Sequence, residues 1–292
     1  MLEGVYTALV TPFSDDLRID HGVLEALVDR QIAGGVSGLV PMGTTGESPT
    51  VTHQENIEVI AVVARRAEGK AQVIAGTGSN STQEAVDMTR KARDLGVQAS
   101  LQVAPYYNKP SQEGLYAHFS TIADSVDLPL LVYNIPGRTG RNIETDTLLR
   151  LAAHPNIVGV KEASGNLSQM MDILARRPDG FAVLSGDDNM TLALTLLGGQ
   201  GVVSVASNIV PERMTELTRR ALEGNTEEAR ALHYGLMPLF TALLGLDTNP
   251  VPVKYALKRM GLVSGKMRLP MVELAGAAAS RMDEVLQALG LV

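Results

Sequence analysis

Eight times along the first three-quarters of the chain, a short apolar run gives way to a longer segment with helical periodicity. The runs lie at 5–10, 38–41, 72–75, 99–103, 130–134, 157–162, 182–185 and 201–204. The helical segments lie near 22–34, 53–67, 82–95, 112–125, 144–153, 168–176, 189–197 and 212–222. The apolar runs are near-continuous rather than alternating, as strands buried on both faces of a parallel sheet must be. Strands that alternate with helices build such a sheet. An open doubly wound sheet is the rival arrangement, but eight near-equal units predict closure into a (β/α)8 barrel. Thr52-His53-Gln54-Glu55 and Ser81-Thr82-Gln83-Glu84 read as capping boxes opening two of the helices.

Beyond about residue 225 the strand pattern stops. Helices are expected at 226–243, 250–261 and 271–289, punctuated by Pro250, Pro252 and Pro270. The chain therefore divides into a catalytic barrel, 1–224, and a C-terminal helical appendage, 225–292, with no low-complexity linker between them.

Composition narrows the function. The 292 residues carry a net charge of −7. That balance argues against a nucleic-acid partner or an anionic membrane surface, both of which need basic patches. The chain has no cysteine, which excludes a disulfide framework, a thiolate nucleophile and cysteine-ligated metal. His21, His53, His118, His154 and His233 show no metal-ligand spacing, and His21 and His53 fall at expected helix starts. No apolar stretch approaches the roughly 18 residues of a membrane helix. These features point to a soluble cytoplasmic protein.

The chemistry concentrates where strands end. Leu130-Leu131-Val132-Tyr133-Asn134-Ile135-Pro136-Gly137-Arg138-Thr139 runs from a buried strand into a tyrosine, a turn and an arginine. Ile157-Val158-Gly159-Val160-Lys161-Glu162 repeats the arrangement with a lysine. In a parallel barrel the carboxyl ends of the strands face one space, where ligands bind. Apolar surroundings lower a lysine pKa, and the neutral amine can attack a ketone to form a Schiff base. A nearby phenol can then pass protons, with the hydroxyls of Thr44 and Tyr107 as relay candidates. Each of these residues also has a plain reading: a solvated strand end for Lys161, a half-buried core tyrosine for Tyr133.

Gly43-Thr44-Thr45-Gly46-Glu47 is a tight turn that could also cradle a carboxylate with N–H groups and hydroxyls. Gly76-Thr77-Gly78-Ser79-Asn80 lacks the last glycine of a dinucleotide fingerprint and reads as a βα loop. Arg138 suits bidentate recognition of a carboxylate. Gly186-Asp187-Asp188 could hint at metal, but a turn with a helix N-cap is the better reading.

These motifs, in this order and spacing, resemble the dihydrodipicolinate synthase family of pyruvate-dependent class I aldolases, a group that includes N-acetylneuraminate lyase. The resemblance spans Thr7-Ala8-Leu9-Val10-Thr11-Pro12-Phe13 to Arg268-Leu269-Pro270 and includes Pro105-Tyr106-Tyr107-Asn108-Lys109-Pro110. It implies condensation of pyruvate with L-aspartate 4-semialdehyde to 4-hydroxy-tetrahydrodipicolinate, the committed step toward diaminopimelate and lysine, with no metal or organic cofactor. Lys161 matches the imine-forming lysine and Tyr133 the proton-transferring tyrosine. Thr44 and Tyr107 match its relay partners, Tyr107 being supplied by the neighbouring subunit of a tight dimer. Thr45 matches the contact to the pyruvate carboxylate. Val203 stands where the family often carries isoleucine. Arg138 matches the arginine that meets the second substrate's carboxylate, and relatives acting on sugar acids generally lack it. The resemblance further implies a homotetramer built as a dimer of dimers. An aldolase for a sugar acid or 4-hydroxy-2-oxoglutarate is the alternative within the group, and a catalytically silent amino-acid-binding barrel the alternative outside it.

In family members inhibited by lysine, the matching positions are Ser48, Pro49, His53, Asn56, Asn80, Glu84 and Tyr106. Asn56 replaces a usual histidine and Pro49 a usual alanine. Proline has no N–H and a fixed φ, so weak or absent lysine inhibition is expected.

Overall fold

The computed structural model describes residues 2–292. Its core is a closed barrel of eight parallel strands in chain order: β1 Gly4–Ala8, β2 Gly38–Val40, β3 Gln72–Gly76, β4 Ala99–Val103, β5 Leu130–Asn134, β6 Ile157–Glu162, β7 Ala182–Ser185 and β8 Gly201–Ser204. β8 closes on β1, with Tyr6 opposite Val203. The connecting helices are α1 His21–Ala33, α2 His53–Ala67, α3 Thr82–Asp94, α4 Gln112–Ser125, the single turn α5 Pro136–Thr139, α6 Thr145–Ala152, α7 Leu167–Arg176, α8 Thr191–Leu196 and α9 Pro211–Leu222. Three more follow: α10 Thr226–Gly245, α11 Val251–Arg259 and α12 Gly276–Ala288. The last begins later than its apolar pattern suggested, at Gly276, whose φ is +58°. No helix among the described residues is long and apolar enough to cross a membrane.

The apolar runs divide by parity into two cores. Tyr6, Ile74, Leu101, Leu131, Leu184 and Val203 fill the barrel interior. Their neighbours Val5, Val73, Leu130, Val132, Val183 and Val202 join the larger core between barrel and helices. The period of two along each strand produces this split.

β6 breaks the period. Leu130 pairs with Ile157 but Leu131 pairs with Gly159, so Val158 is an extra residue, a β-bulge. Beyond the bulge Val160 faces the helices, and Lys161 aligns with Tyr133 and Leu184 on the inner face. Bulges commonly re-aim a side chain in this way. Strict alternation from Ile157, which also faces the helices, would have turned Lys161 outward.

Helix starts follow local chemistry. Asp20 accepts the Val23 N–H to cap α1. Thr52 and Glu55 form the full reciprocal box at α2. At α3 only half the expected box exists. Ser81 accepts the Glu84 N–H at 3.5 Å, while the Glu84 carboxylate turns to the Ser79 hydroxyl and to His53. Two competing donors have drawn that carboxylate away from the cap.

Candidate active site

At the carboxyl ends of the strands lies a cavity of about 130 Å³, walled by Tyr133, Lys161, Thr44, Thr45, Arg138 and Asp187, with Val205, Leu243, Leu244 and Asn249 closing it. Its size suits a small metabolite rather than a nucleotide-sized cofactor.

Lys161 and Tyr133 are both buried. The lysine Nζ lies 4.1 Å from the centre of the tyrosine ring. Burial lowers the Lys161 pKa to about 8; Asp187 and Asp188 pull it back up, and Arg138 pushes it further down. Burial also drives the Tyr133 phenol well above its ordinary value; the Arg138 charge and the adjacent Thr44 side chain work against that rise. The pair therefore rests uncharged far more readily than it would in water.

Thr44 and Thr45 ride on a 3₁₀ turn, Thr44–Gly46. The N–H groups of Gly46 and Glu47 are spent inside it, on the Gly43 and Thr44 carbonyls at 3.1 Å each. Those of Thr44 and Thr45, at the amino end of the turn, are left for a ligand. Arg138, on α5, donates from Nη2 to the Asn249 carbonyl at 3.0 Å.

Two expected site residues stand apart from the cavity. Val203 is buried in the barrel interior, one layer deeper, and the apolar wall beside Lys161 is made by Val205 instead. Tyr107 points into solvent, 90% exposed, with a φ of +71°.

Three contributors escaped sequence reasoning. Asn249 donates from Nδ2 to the Thr45 hydroxyl at 2.9 Å, and no local pattern around Pro250 signals this. Asp187 lines the cavity, and burial raises its pKa against the pull of Lys161 and Arg138. Asp188 does not cap its own helix as expected. Its carboxylate accepts from the Ser204 hydroxyl and from the Val205 and Ala206 N–H groups, pinning the turn after β8. The adjacent carboxylates could have prompted a search for buried partners.

A second cavity, about 430 Å³, gathers Ser48, Pro49, His53, Asn56, Glu84 and Tyr106. His53 and Glu84 pair at 2.6 Å across its rim. Asn80 is not in its wall; it donates from Nδ2 to the Tyr106 carbonyl and ties the loop instead.

A lysine held near neutrality at the mouth of a (β/α)8 barrel, beside a buried phenol, is equipped for amine chemistry on a carbonyl. The chain belongs to the dihydrodipicolinate synthetase family, whose model matches residues 1–289. It is 48% identical over 292 residues to the 4-hydroxy-tetrahydrodipicolinate synthase of Chloroherpeton thalassium, covering all of this chain and 96% of that one. Among solved structures it resembles the chloride-inhibited dihydrodipicolinate synthase of Acinetobacter baumannii complexed with pyruvate, with a TM-score of 0.98, 41% identity and full coverage of both chains. It also resembles the enzyme of Cyanidioschyzon merolae with lysine bound, with a TM-score of 0.96, 45% identity and 99% coverage of each chain.

Proposed function

We propose that the chain catalyses Schiff-base condensation of pyruvate with L-aspartate 4-semialdehyde to 4-hydroxy-tetrahydrodipicolinate, as its relatives' names imply. The observation that carries this reading is the buried Lys161 amine, with its pKa lowered to about 8, set against the Tyr133 ring.

The neutral Lys161 amine attacks the ketone carbon of pyruvate, and loss of water leaves an imine. Thr44 and Thr45 receive the pyruvate carboxylate on the open N–H groups of their turn. The protonated imine is an electron sink, so the methyl carbon gives up a proton and an enamine forms. Tyr133 carries protons in these steps, with Thr44 beside it. The enamine carbon attacks the aldehyde, while Arg138 receives the carboxylate of that substrate. The amine of the aldehyde partner then attacks the imine carbon, closes the ring and frees Lys161.

The same reading extends to assembly and location. Tyr107, exposed on a backbone of positive φ, and the partly exposed Tyr106 are large aromatics left to solvent in the single chain. A partner subunit would cover them and bring the Tyr107 hydroxyl to the neighbouring relay. Met171, Leu196 and Leu197 are further exposed apolar groups suited to a second contact. The reading is a homotetramer made of two tight dimers, each chain divided into a barrel, 1–224, and a helical unit, 225–292. A reaction that consumes metabolites made inside the cell belongs in the cytoplasm. At the second cavity, Asn56 and Pro49 leave lysine inhibition weak or absent.

The test is borohydride reduction in the presence of pyruvate, followed by peptide mass mapping. Label on Lys161 supports the reading; its absence removes the whole aldolase class.

A further inference from the structure

Glu47 and Lys254 form a buried ion pair outside the cavity, and the reaction as described makes no use of it. Their side chains are 1% and 0% exposed. Glu47 directly follows the turn that carries Thr44 and Thr45, while Lys254 projects from α11, 207 residues further along. Lys254 Nζ donates to Glu47 Oε1 at 2.5 Å and to the Thr11 carbonyl at 2.9 Å, and it lies 4.3 Å from the centre of the Phe13 ring. Glu47 Oε2 accepts the Arg268 backbone N–H at 3.3 Å.

Burying two charges is a poor way to glue elements together, because desolvation cancels much of the attraction. What the pair adds is direction. Glu47 has a φ of +57°, a conformation that side-chain-bearing residues avoid. Donors from α11 and from the Arg268 backbone fix its carboxylate there. The same turn is held at two other points: the Thr11 hydroxyl donates to the Gly46 carbonyl at 2.7 Å, and Asn249, just before α11, donates to Thr45. The placement of Thr44 and Thr45 thus depends on a helix outside the barrel.

We infer that Glu47 and Lys254 are positioning residues, through which α11 sets the Thr44–Thr45 turn against Tyr133 and Lys161. This rests on the proposed aldolase reading. Lys161 itself sits on β6 and does not depend on the pair, so at saturating pyruvate, where a weakened carboxylate contact no longer limits binding, imine formation should persist while proton transfer slows.

The experiment uses the full chain with both charges removed, Glu47→Gln with Lys254→Met, since removing one strands the other in the core. Circular dichroism follows the fold, borohydride capture follows the imine, and NMR follows exchange of the pyruvate methyl protons in D2O without aldehyde. The expected result is a folded protein that captures pyruvate on Lys161 but exchanges its methyl protons at least about tenfold more slowly, since small misplacements of this kind cost up to about 100-fold. A folded variant that exchanges at the wild-type rate overturns the inference and leaves the pair a packing contact. If the double variant does not fold, Glu47→Gln with Lys254→Gln, which removes both charges but keeps a hydrogen-bonding amide pair across the same contact, is judged by the same two outcomes. If instead the aldolase reading is wrong, the unmodified chain neither captures pyruvate nor exchanges it, so the two failures are distinct.

Discussion

Lys161 and Tyr133 are cross-strand partners in register on β6 and β5, and the amine stands over the phenol ring rather than beside its hydroxyl. The ring shields the amine from water while leaving the hydroxyl free to work elsewhere. Lys161→Arg keeps a cation of similar length but cannot supply a neutral amine. It should abolish pyruvate capture with the circular dichroism spectrum unchanged. Substantial remaining turnover would show that another group is the nucleophile.

Tyr133→Phe and Thr44→Val remove proton transfer and leave the cavity walls in place. Turnover should fall by about 100-fold or more, with a smaller change in KM for pyruvate. A rise in KM at constant kcat would place both residues in binding instead.

The lowered Lys161 pKa has two consequences with pH. Imine capture should rise as pH climbs through about 8, as the neutral amine accumulates. Stability moves the same way. Between about 8 and the unfolded value of 10.5, the unfolded chain holds the proton and the folded chain has lost it, so folding strengthens with rising pH. Below pH 8 the fold bears the whole cost of the buried ammonium. Lys161→Met should therefore stabilise the protein at pH 7 by about 1–3 kcal/mol, a gain that fades by pH 10.5. Urea unfolding at both pH values measures it; an equal effect at each would contradict the linkage.

Assembly should govern activity. Tyr107→Phe is expected to lower kcat while sedimentation still reports an oligomer, because it deletes a hydroxyl and keeps the ring. A fully active monomer in the ultracentrifuge would exclude a shared site.

A lysine titration of the initial rate should show little inhibition below the millimolar range. Asn56 is buried with an unpaired Oδ1, and Glu84 is already engaged by His53 and Ser79. Each hydrogen bond lost to a charged ligand costs about 1.5–3 kcal/mol, or one to two decades of affinity. Strong sub-millimolar inhibition would show that Asn56 and Pro49 are tolerated.

The barrel was legible because its strands are buried on both faces and so read as unbroken apolar runs, each ending where polar groups begin. Five of the eight strand ranges, 99–103 and the four from 130–134 onward, match the structure to the residue, and the rest differ only at their ends. Tyr133, Lys161, Thr44, Thr45 and Arg138 converge because strand ends in a closed barrel must share one mouth. Asn249 and the Glu47–Lys254 pair were not legible, since no local period links residues some 200 positions apart. The place of Val205 rather than Val203 in the wall depends on the turn after β8, which Asp188 holds from the turn after β7. Tyr107 is the reverse case: its proposed role needs a subunit that a single chain does not contain.

The extra residue at Val158 makes the nucleophile a matter of counting. Keep every residue of β6 but iron out the bulge, so that the strand alternates strictly from Ile157, and the amine would be handed to the helix layer; the barrel would keep its shape while losing its chemistry. In this strand irregularity is the functional state, and a regular strand of the same length would be an inert one.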